Sequence, residues 1–371
     1  MRILIVNTDY PEFLSDLYGR EPGLASRSYD DQLRARYDSL FSVADFYSRN
    51  LRALGHEARE LYINNGPLQR AWAREHGVRL PPPSRPVWRM RRGVLPWRVR
   101  VPDKGWELPA LLAQVRDFQP DVILNQNAFT IDDAMVRALR PLTRCLVVQH
   151  AATPLPDRDW SLYDLAISSF PPTVERFERR GLRAELHRLA FDPSVQDRLG
   201  EPDRTIPVSF VGSLHGVHSS RIGWLERVAR HADLRIWTST PEALPSGSPL
   251  RERVQGKAWG LSMYRILAAS RVTLNHHGDI EPYCNNLRLF EATGVGAALV
   301  TDAKPNLSDY FDAGREVADY RSADECAEVV ANLLADNERR EAMASAGQAR
   351  TLRDHNWRER METLVGSFER L

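Results

Sequence analysis

The sequence predicts an α/β fold in two halves, each a doubly wound parallel sheet. Three observations predict it. Short apolar, β-branched runs ending in polar residues recur along the chain, as expected of strands buried on both faces. Amphipathic helical patterns separate these runs, which is the alternation of βαβ units. A polar stretch at 186–206, with Pro193 and Pro202, divides the runs into two series. A length of 371 residues fits two domains at about 150 residues each.

Along the chain, "RILIVN" from Arg2 is the first strand, followed by "DVILNQ" from Asp121, "CLVVQH" from Cys145 and "DLAISS" from Asp164. "ELPALLAQVRDF" and "IDDAMVRALR" are helices between them. The second series is "PVSFVGS" from Pro207, "LRIWTS" from Leu234, "RVTLNHH" from Arg271, "AALVTD" from Ala297 and "EVADY" from Glu316. Segments 10–40 and 64–105 show no strand alternation, and prolines in the second forbid regular helix, so both are expected to be irregular insertions. Three helices close the chain. Ser322 with Glu325 forms a capping box before the first, and Gly347 and "HNW" mark later breaks. The tail helix from about Trp357 carries Met361, Leu364, Val365 and Phe368 on one face and must pack on something, with the first domain as candidate. The expected domains are 1–190, 191–355 and the tail 356–371.

Composition excludes several classes. Hydrophobic residues at 43% and charged residues at 27% are ordinary globular usage, so the chain is not disordered. Fifty Lys and Arg against 49 Asp and Glu give +1, and no global field favours nucleic acid. Cys145, Cys284 and Cys326 are odd in number and widely spaced, which fits neither a disulfide framework nor a zinc site. No apolar run approaches the about 18 residues of a membrane span, and "MRILIVNTDY" lacks the features of a signal peptide. A cytoplasmic chain is expected, with peripheral contact at the inner membrane face as a further option. That option rests on the six arginines between Arg85 and Arg100, interleaved with Trp88 and Trp97, which suit anionic phosphates or a membrane surface; a solvated loop is the alternative.

The segment His276–Asp302 carries the most chemistry. A short helix capped at Asn285 or Asn286 and ended by Gly294 would point its N-terminus at the carboxyl ends of the strands, where such sheets hold ligands. Free amides there suit a phosphate. Arg288 could add a bidentate contact to a diphosphate, and Glu291 could accept hydrogen bonds from ribose hydroxyls; an Arg–Glu surface pair is the alternative. His277 ends a strand at the same edge, where a lone histidine is more often structural. "DRD" at Asp157–Asp159 matches a metal-holding pattern, but a three-residue match is weak. No P-loop and no G-x-S-x-G is present.

The run Asn286, Arg288, Phe290, Glu291, Ala292, Gly294, Gly296, Ala297, Thr301 and Asp302 stands in the register N-x-R-x-F-E-A-x-G-x-G-A-x-x-x-T-D. It resembles the nucleotide-binding signature of GT-B glycosyltransferases, specifically the "group 1" retaining enzymes and their CgeB-like branch. "VSFVGS", "AWGLSMYRILAASRVTLNHH", "NLSDYF" and "REVADY" extend the likeness over about 185–360. The resemblance implies two Rossmann-like domains facing a cleft that holds a nucleotide sugar, UDP-linked as first guess. It implies transfer to a glycan, lipid-linked or protein acceptor with retention; because Arg288 and the helix end already offer positive charge to the diphosphate, no cofactor and no required metal are expected. Gly212 and Ser213 match the small-residue turn beside the donor phosphates, Lys257 falls near the nucleotide loop, and Glu291 matches the ribose-binding glutamate. His150 would meet the donor from across the cleft. "NTDY" replaces the family's glycine-rich loop and leaves Asp9 and Tyr10 for the acceptor. One departure stands out: Tyr283 occupies the position of the family's first glutamate, with Glu281 two residues earlier. A nucleotide-sugar epimerase or phosphorylase, or an inactive carbohydrate-binding subunit, is the competing reading.

Overall fold

The opening apolar run forms β1 (Arg2–Asn7), five of whose six residues are buried. The computed structural model describes all residues except 92–94, 152–153, 202 and 281, so Glu281 and Pro202 lie outside the described residues, as do the side chains of 89, 91, 95 and 96. After β1 come β2 (Glu57–Tyr62), β3 (Ser84–Arg91), β4 (Leu95–Pro102), β5 (Val122–Asn125), β6 (Cys145–Gln149), β7 (Leu165–Ser168) and β8 (Ala184–Leu186). Six of these build one parallel sheet in the order β2-β1-β5-β6-β7-β8.

The C-terminal half contains β9 (Ile206–Val211), β10 (Leu234–Trp237), β11 (Val254–Gly256), β12 (Ser270–Leu274), β13 (Ala298–Asp302) and β14 (Ala318–Tyr320). Their order, β11-β10-β9-β12-β13-β14, is again all parallel. It is the 3-2-1-4-5-6 order of dinucleotide-binding sheets. Strand order reverses beside β1 and beside β9, and a crevice opens there at the carboxyl ends. Strands β2, β8 and β11 escape the sequence reading. In β2 the charges of Glu57, Arg59 and Glu60 hide the apolar residues, although Glu60 itself is buried.

Both expected insertions are ordered elements rather than irregular segments. The first contains helices Pro11–Arg20 and Tyr29–Asp38, the second started by Ser28, whose hydroxyl accepts from Asp31 N at 3.1 Å. The second contains helix Gly66–Glu75, capped by Asn65, and then the antiparallel ribbon β3–β4. Prolines 86, 96 and 102 are tolerated because each ribbon strand has a free edge that needs no N–H donor. The polar stretch 186–206 is also anchored: Phe191 and Val195 are buried.

The closing helices are Ala323–Ala335, Asn337–Asp354 and Trp357–Glu369. Ser322 Oγ accepts from Glu325 N at 3.1 Å, but the Glu325 carboxylate takes Arg321 N instead of completing the box. Gly347 does not break a helix. It lies within the second, where a Cβ would stand 2.4 Å from the carbonyl oxygen of Glu316. The tail helix packs back on the first domain, with the Trp357 ring 4.9 Å from that of Tyr47 and Arg370 paired with Glu185 at 3.1 Å. Met361, Leu364 and Phe368 thereby join Ile3, Leu51, Phe191 and Phe290 in one core spanning both halves.

One buried acid tests this packing. Glu60 accepts from Ser48 N at 3.1 Å and from Asn7 Nδ2, and burial pushes its carboxyl up to about 8. A carboxyl more easily protonated folded than unfolded loses its stabilising contribution as pH rises from its unfolded value of about 4.5 through about 8. Glu60→Gln is therefore expected to flatten that decline in thermal unfolding midpoints across the same range; an unchanged pH profile would contradict it.

Candidate active site

A cleft of about 1090 Å³ lies where the carboxyl ends of the two sheets face each other. Residues following β1, β5, β6 and β7 form one wall, and those following β9, β10 and β12 the other. This is the crevice position of parallel α/β sheets.

On the second-domain wall, Gly212 and Ser213 make the turn after β9. Gly212 N donates to Trp237 O at 3.0 Å, and a Cβ on Gly212 would stand 3.1 Å from the Phe210 ring. Arg221, at the start of helix Arg221–Ala229, reaches back into this turn. Its Nη1 donates to Ser213 O at 3.0 Å and its Nη2 to His276 O. It is 7% exposed, its Nε–H has no partner, and among the described residues no carboxylate is in ion-pair contact with it. Burial draws its pKa down to about 10 and, with Arg221 adjacent, that of His218 to about 4. The sequence reading missed Arg221. Its available signal was an arginine eight residues beyond a Gly-Ser turn that ends an apolar strand.

Arg288 and Glu291 both line the cleft, but as a pair, with Arg288 Nη1 2.6 Å from Glu291 Oε2. Arg288 Nη2 also donates to Val211 O at 3.1 Å. The pair is buried rather than superficial, and burial raises the Glu291 carboxyl while Arg288 opposes that rise. The helix Arg288–Gly294 is capped by neither Asn285 nor Asn286: Leu287 is its N-cap, without a side-chain bond. Asn286 instead donates to Asn275 Oδ1 at 2.8 Å and lines the cleft, whereas Asn285 does not line it. The strand end draws the Asn286 amide away from the helix.

Two further expected donor contacts move. Lys257 does not line the cleft; it is half-exposed and pairs with Asp16 of the first domain at 3.2 Å. His277 is buried outside the lining, its Nδ1 2.6 Å from Asp302 Oδ1. Burial alone would raise Asp302, but the His277 hydrogen bond, His276 and Lys304 hold it well below the usual carboxylate range. Tyr283 sets its ring edge-on against Phe170 of the first domain at 5.7 Å. Asp159 of the "DRD" run accepts from Ser161 N at 3.2 Å and starts a helical turn.

On the first-domain wall, His150 follows β6, lines the cleft and packs beside Phe129 at 5.4 Å. Tyr10 is 62% exposed at the cleft. Asp9 is not available to an acceptor: it is buried and holds Arg36, with Nη2 to Oδ1 at 2.8 Å. Arg36 in turn donates to Phe41 O at 3.1 Å, fixing a loop in which Leu40, Ser42 and Ala44 have φ of 52°, 56° and 42°. Left-handed backbone costs about 1–2 kcal/mol per such residue. Tyr62 Oη, donating to Ala44 O at 2.6 Å, and Leu261 N, donating to Ser39 O at 2.8 Å, help hold the loop. Phe41, Ser42 and Val43 consequently line the cleft, with the Trp259 ring edge-on to Phe41 at 5.3 Å. No sequence signal marked this loop. Arg36→Met should expose its function: leaving Asp9 as an unpaired buried charge is expected to cost about 3–5 kcal/mol in chemical denaturation, and a loss below about 1 kcal/mol would remove the pair from this role.

Residues 221–366 match a family model described as glycosyl transferase-like. No curated protein matches the chain. Among solved structures, HepE of Anabaena in complex with UDP-glucose is 12% identical over all of both chains, with a TM-score of 0.61. Sucrose-phosphate synthase of Thermosynechococcus elongatus is 12% identical over all of this chain and 98% of that one, with a TM-score of 0.57. AviGT4, a glycosyltransferase involved in avilamycin A biosynthesis, is 15% identical over 100% and 98%, with a TM-score of 0.55. Two Rossmann-like domains facing a cleft, matched end to end by these structures, make this a chain of the GT-B fold whose second half is glycosyl transferase-like in sequence.

Proposed function

We propose that the protein transfers a glycosyl group from a nucleotide sugar to a glycan, lipid-linked or protein acceptor, with retention, in the manner of the CgeB-like branch of group 1 enzymes. The observation that carries this reading is Arg221, a buried guanidinium lining the cleft with no carboxylate against it. A buried charge with no carboxylate in contact is costly, and an anionic ligand offsets that cost. The diphosphate of a nucleotide sugar is such a ligand, and HepE, the similar solved protein, binds UDP-glucose.

The difficult step is departure of the nucleoside diphosphate, on which negative charge grows. Arg221, beside the Gly212–Ser213 turn, stands ready for that charge in a site closed by both domains. Arg288 is half-neutralised by Glu291 and serves mainly to aim that carboxylate, whose other oxygen is free to accept from ribose hydroxyls. His150 stands on the opposite wall to orient the donor sugar. Same-face attack by the acceptor then depends on positioning by both domains. Positive charge supplied by the protein requires no metal, and saturating EDTA is expected to leave transfer intact.

Thermal unfolding with UDP, GDP and dTDP tests the donor, because a ligand bound only by the folded state raises its midpoint; UDP is expected to raise it most. Glu291→Gln is expected to weaken UDP binding by about 1–3 kcal/mol in calorimetry, and unchanged affinity would return Glu291 to structure. Product analysis with labelled nucleotide sugars separates transfer from isomerised donor and from binding without turnover.

A further inference from the structure

The ribbon β3–β4 is isolated from the rest of the fold. It joins neither six-stranded sheet, and none of its described side chains is buried. A lone two-stranded hairpin is marginal in water, so its side chains have been selected for something other than the core. Residues 84–102 contain six arginines and no acid, whereas the whole chain carries only +1.

The register gives this composition a geometry. Trp88 stands opposite Arg98, and on the next rung Arg89 stands opposite Trp97. Adjacent rungs face opposite sides of a ribbon, so the two tryptophans project from opposite faces within about 3.4 Å of each other along the arm. They are 70% and 49% exposed, and Met90, two residues after Trp88, is 59% exposed. From the Arg85 rung to the Arg91 rung the arm is about 20 Å long at about 3.4 Å per residue. Its base is fixed by Asp103 N donating to Pro83 O at 2.9 Å, next to Trp106, whose ring packs on Gly66. Gly66 begins the helix that follows β2, so the arm is rooted on the carboxyl edge of the first sheet, the edge that also forms the cleft.

We propose that this ribbon is a membrane arm that seats Trp88 and Trp97 in the surface of an anionic bilayer and holds the first-domain side of the cleft towards it. Tryptophan prefers the headgroup level of a bilayer, and two of them on adjacent rungs form a depth mark on both faces. Arginines at 85, 98 and 100 then fall among the phosphates, where each basic side chain adds attraction to anionic lipid. A ribbon that lay flat would bury only one of the two tryptophans. Nucleic acid would also attract the charge, but it leaves the paired depth of the tryptophans unexplained.

The test uses the full chain with vesicles of phosphatidylcholine alone or mixed equally with phosphatidylglycerol. The wild type is expected to sediment with the mixed vesicles only, and to be released as sodium chloride rises from about 50 to about 300 mM. Substituting Arg89, Arg91, Arg92 and Arg98 by glutamate is expected to lower partitioning at least about tenfold. Trp88→Ser with Trp97→Ser should lower it by several fold at unchanged charge. Both variants should keep the wild-type unfolding midpoint and UDP affinity. The proposal is overturned if the wild type ignores anionic vesicles at low salt, if either variant partitions like the wild type, or if the chain binds single-stranded RNA but not vesicles. These outcomes are independent of glycosyl transfer, so failure of the enzymatic reading leaves the arm standing, and the reverse.

Discussion

Turnover by Arg221→Met is expected to fall about 100- to 1000-fold, the effect of removing one preorganised donor from a developing negative charge. Arg221 is placed for this by two carbonyl contacts, to Ser213 O at 3.0 Å and to His276 O, one at the turn after β9 and the other just beyond the end of β12. Both bonds go to carbonyls, so they fix its position without an ion pair. Methionine fills similar volume without charge. Its effect on stability combines two opposing terms of about 1–3 kcal/mol, relief of an uncompensated buried cation and loss of donors for two carbonyls. The unfolding midpoint should therefore move little while kcat collapses. Arg221→Lys keeps the charge but not the double anchorage, and its rate should fall between the two. Initial rates with a saturating nucleotide sugar decide the matter: wild-type turnover in Arg221→Met would remove the residue from the reaction.

Gly260→Ala is expected to be the most damaging single methyl group in the chain. Gly260 has φ of +48°, and a Cβ there would stand 1.9 Å from the carbonyl oxygen of Ser39 and 2.7 Å from Phe41 N. Both obstacles are backbone, so no side chain can turn aside. The adjacent bond from Leu261 N to Ser39 O, 2.8 Å, ties the second domain to the strained 39–44 loop of the first. The substitution must break that tie or displace the loop, with Phe41 and Trp259 moving apart. Several kcal/mol of stability should be lost, and UDP affinity should weaken as the wall formed by Ala258, Trp259 and Met263 shifts. Chemical denaturation and small-angle scattering provide the readouts. A variant with wild-type stability and an unchanged radius of gyration would show that the close approach does not hold the domains together.

The sequence alone determined where the parallel strands lie and where each half must bind. Apolar runs at Arg2, Asp121, Cys145, Pro207 and Arg271 could only be buried strands, and polar residues at their carboxyl ends, such as His150, Gly212 and Ser213, had to reach the crevice. The period of burial is local, so it is readable in one dimension. Charged strands were harder: β2 conceals its pairing because Glu60 is satisfied by Ser48 and Asn7, residues remote in sequence. The same limit governs the cleft. Asp9 was legible as a carboxylate beside β1, but only the tertiary structure supplies Arg36, 27 residues away, which removes it from solvent. Lys257 was legible as a cation, but only the fold supplies Asp16 to turn it outward, and leaves Arg221 buried in the cleft wall with no ion-pair contact among the described residues. Spacing along a chain determines which face a side chain takes. Whether a charge is free or cancelled depends on partners that the fold brings from elsewhere, and those long-range pairings decide which residues can meet a ligand.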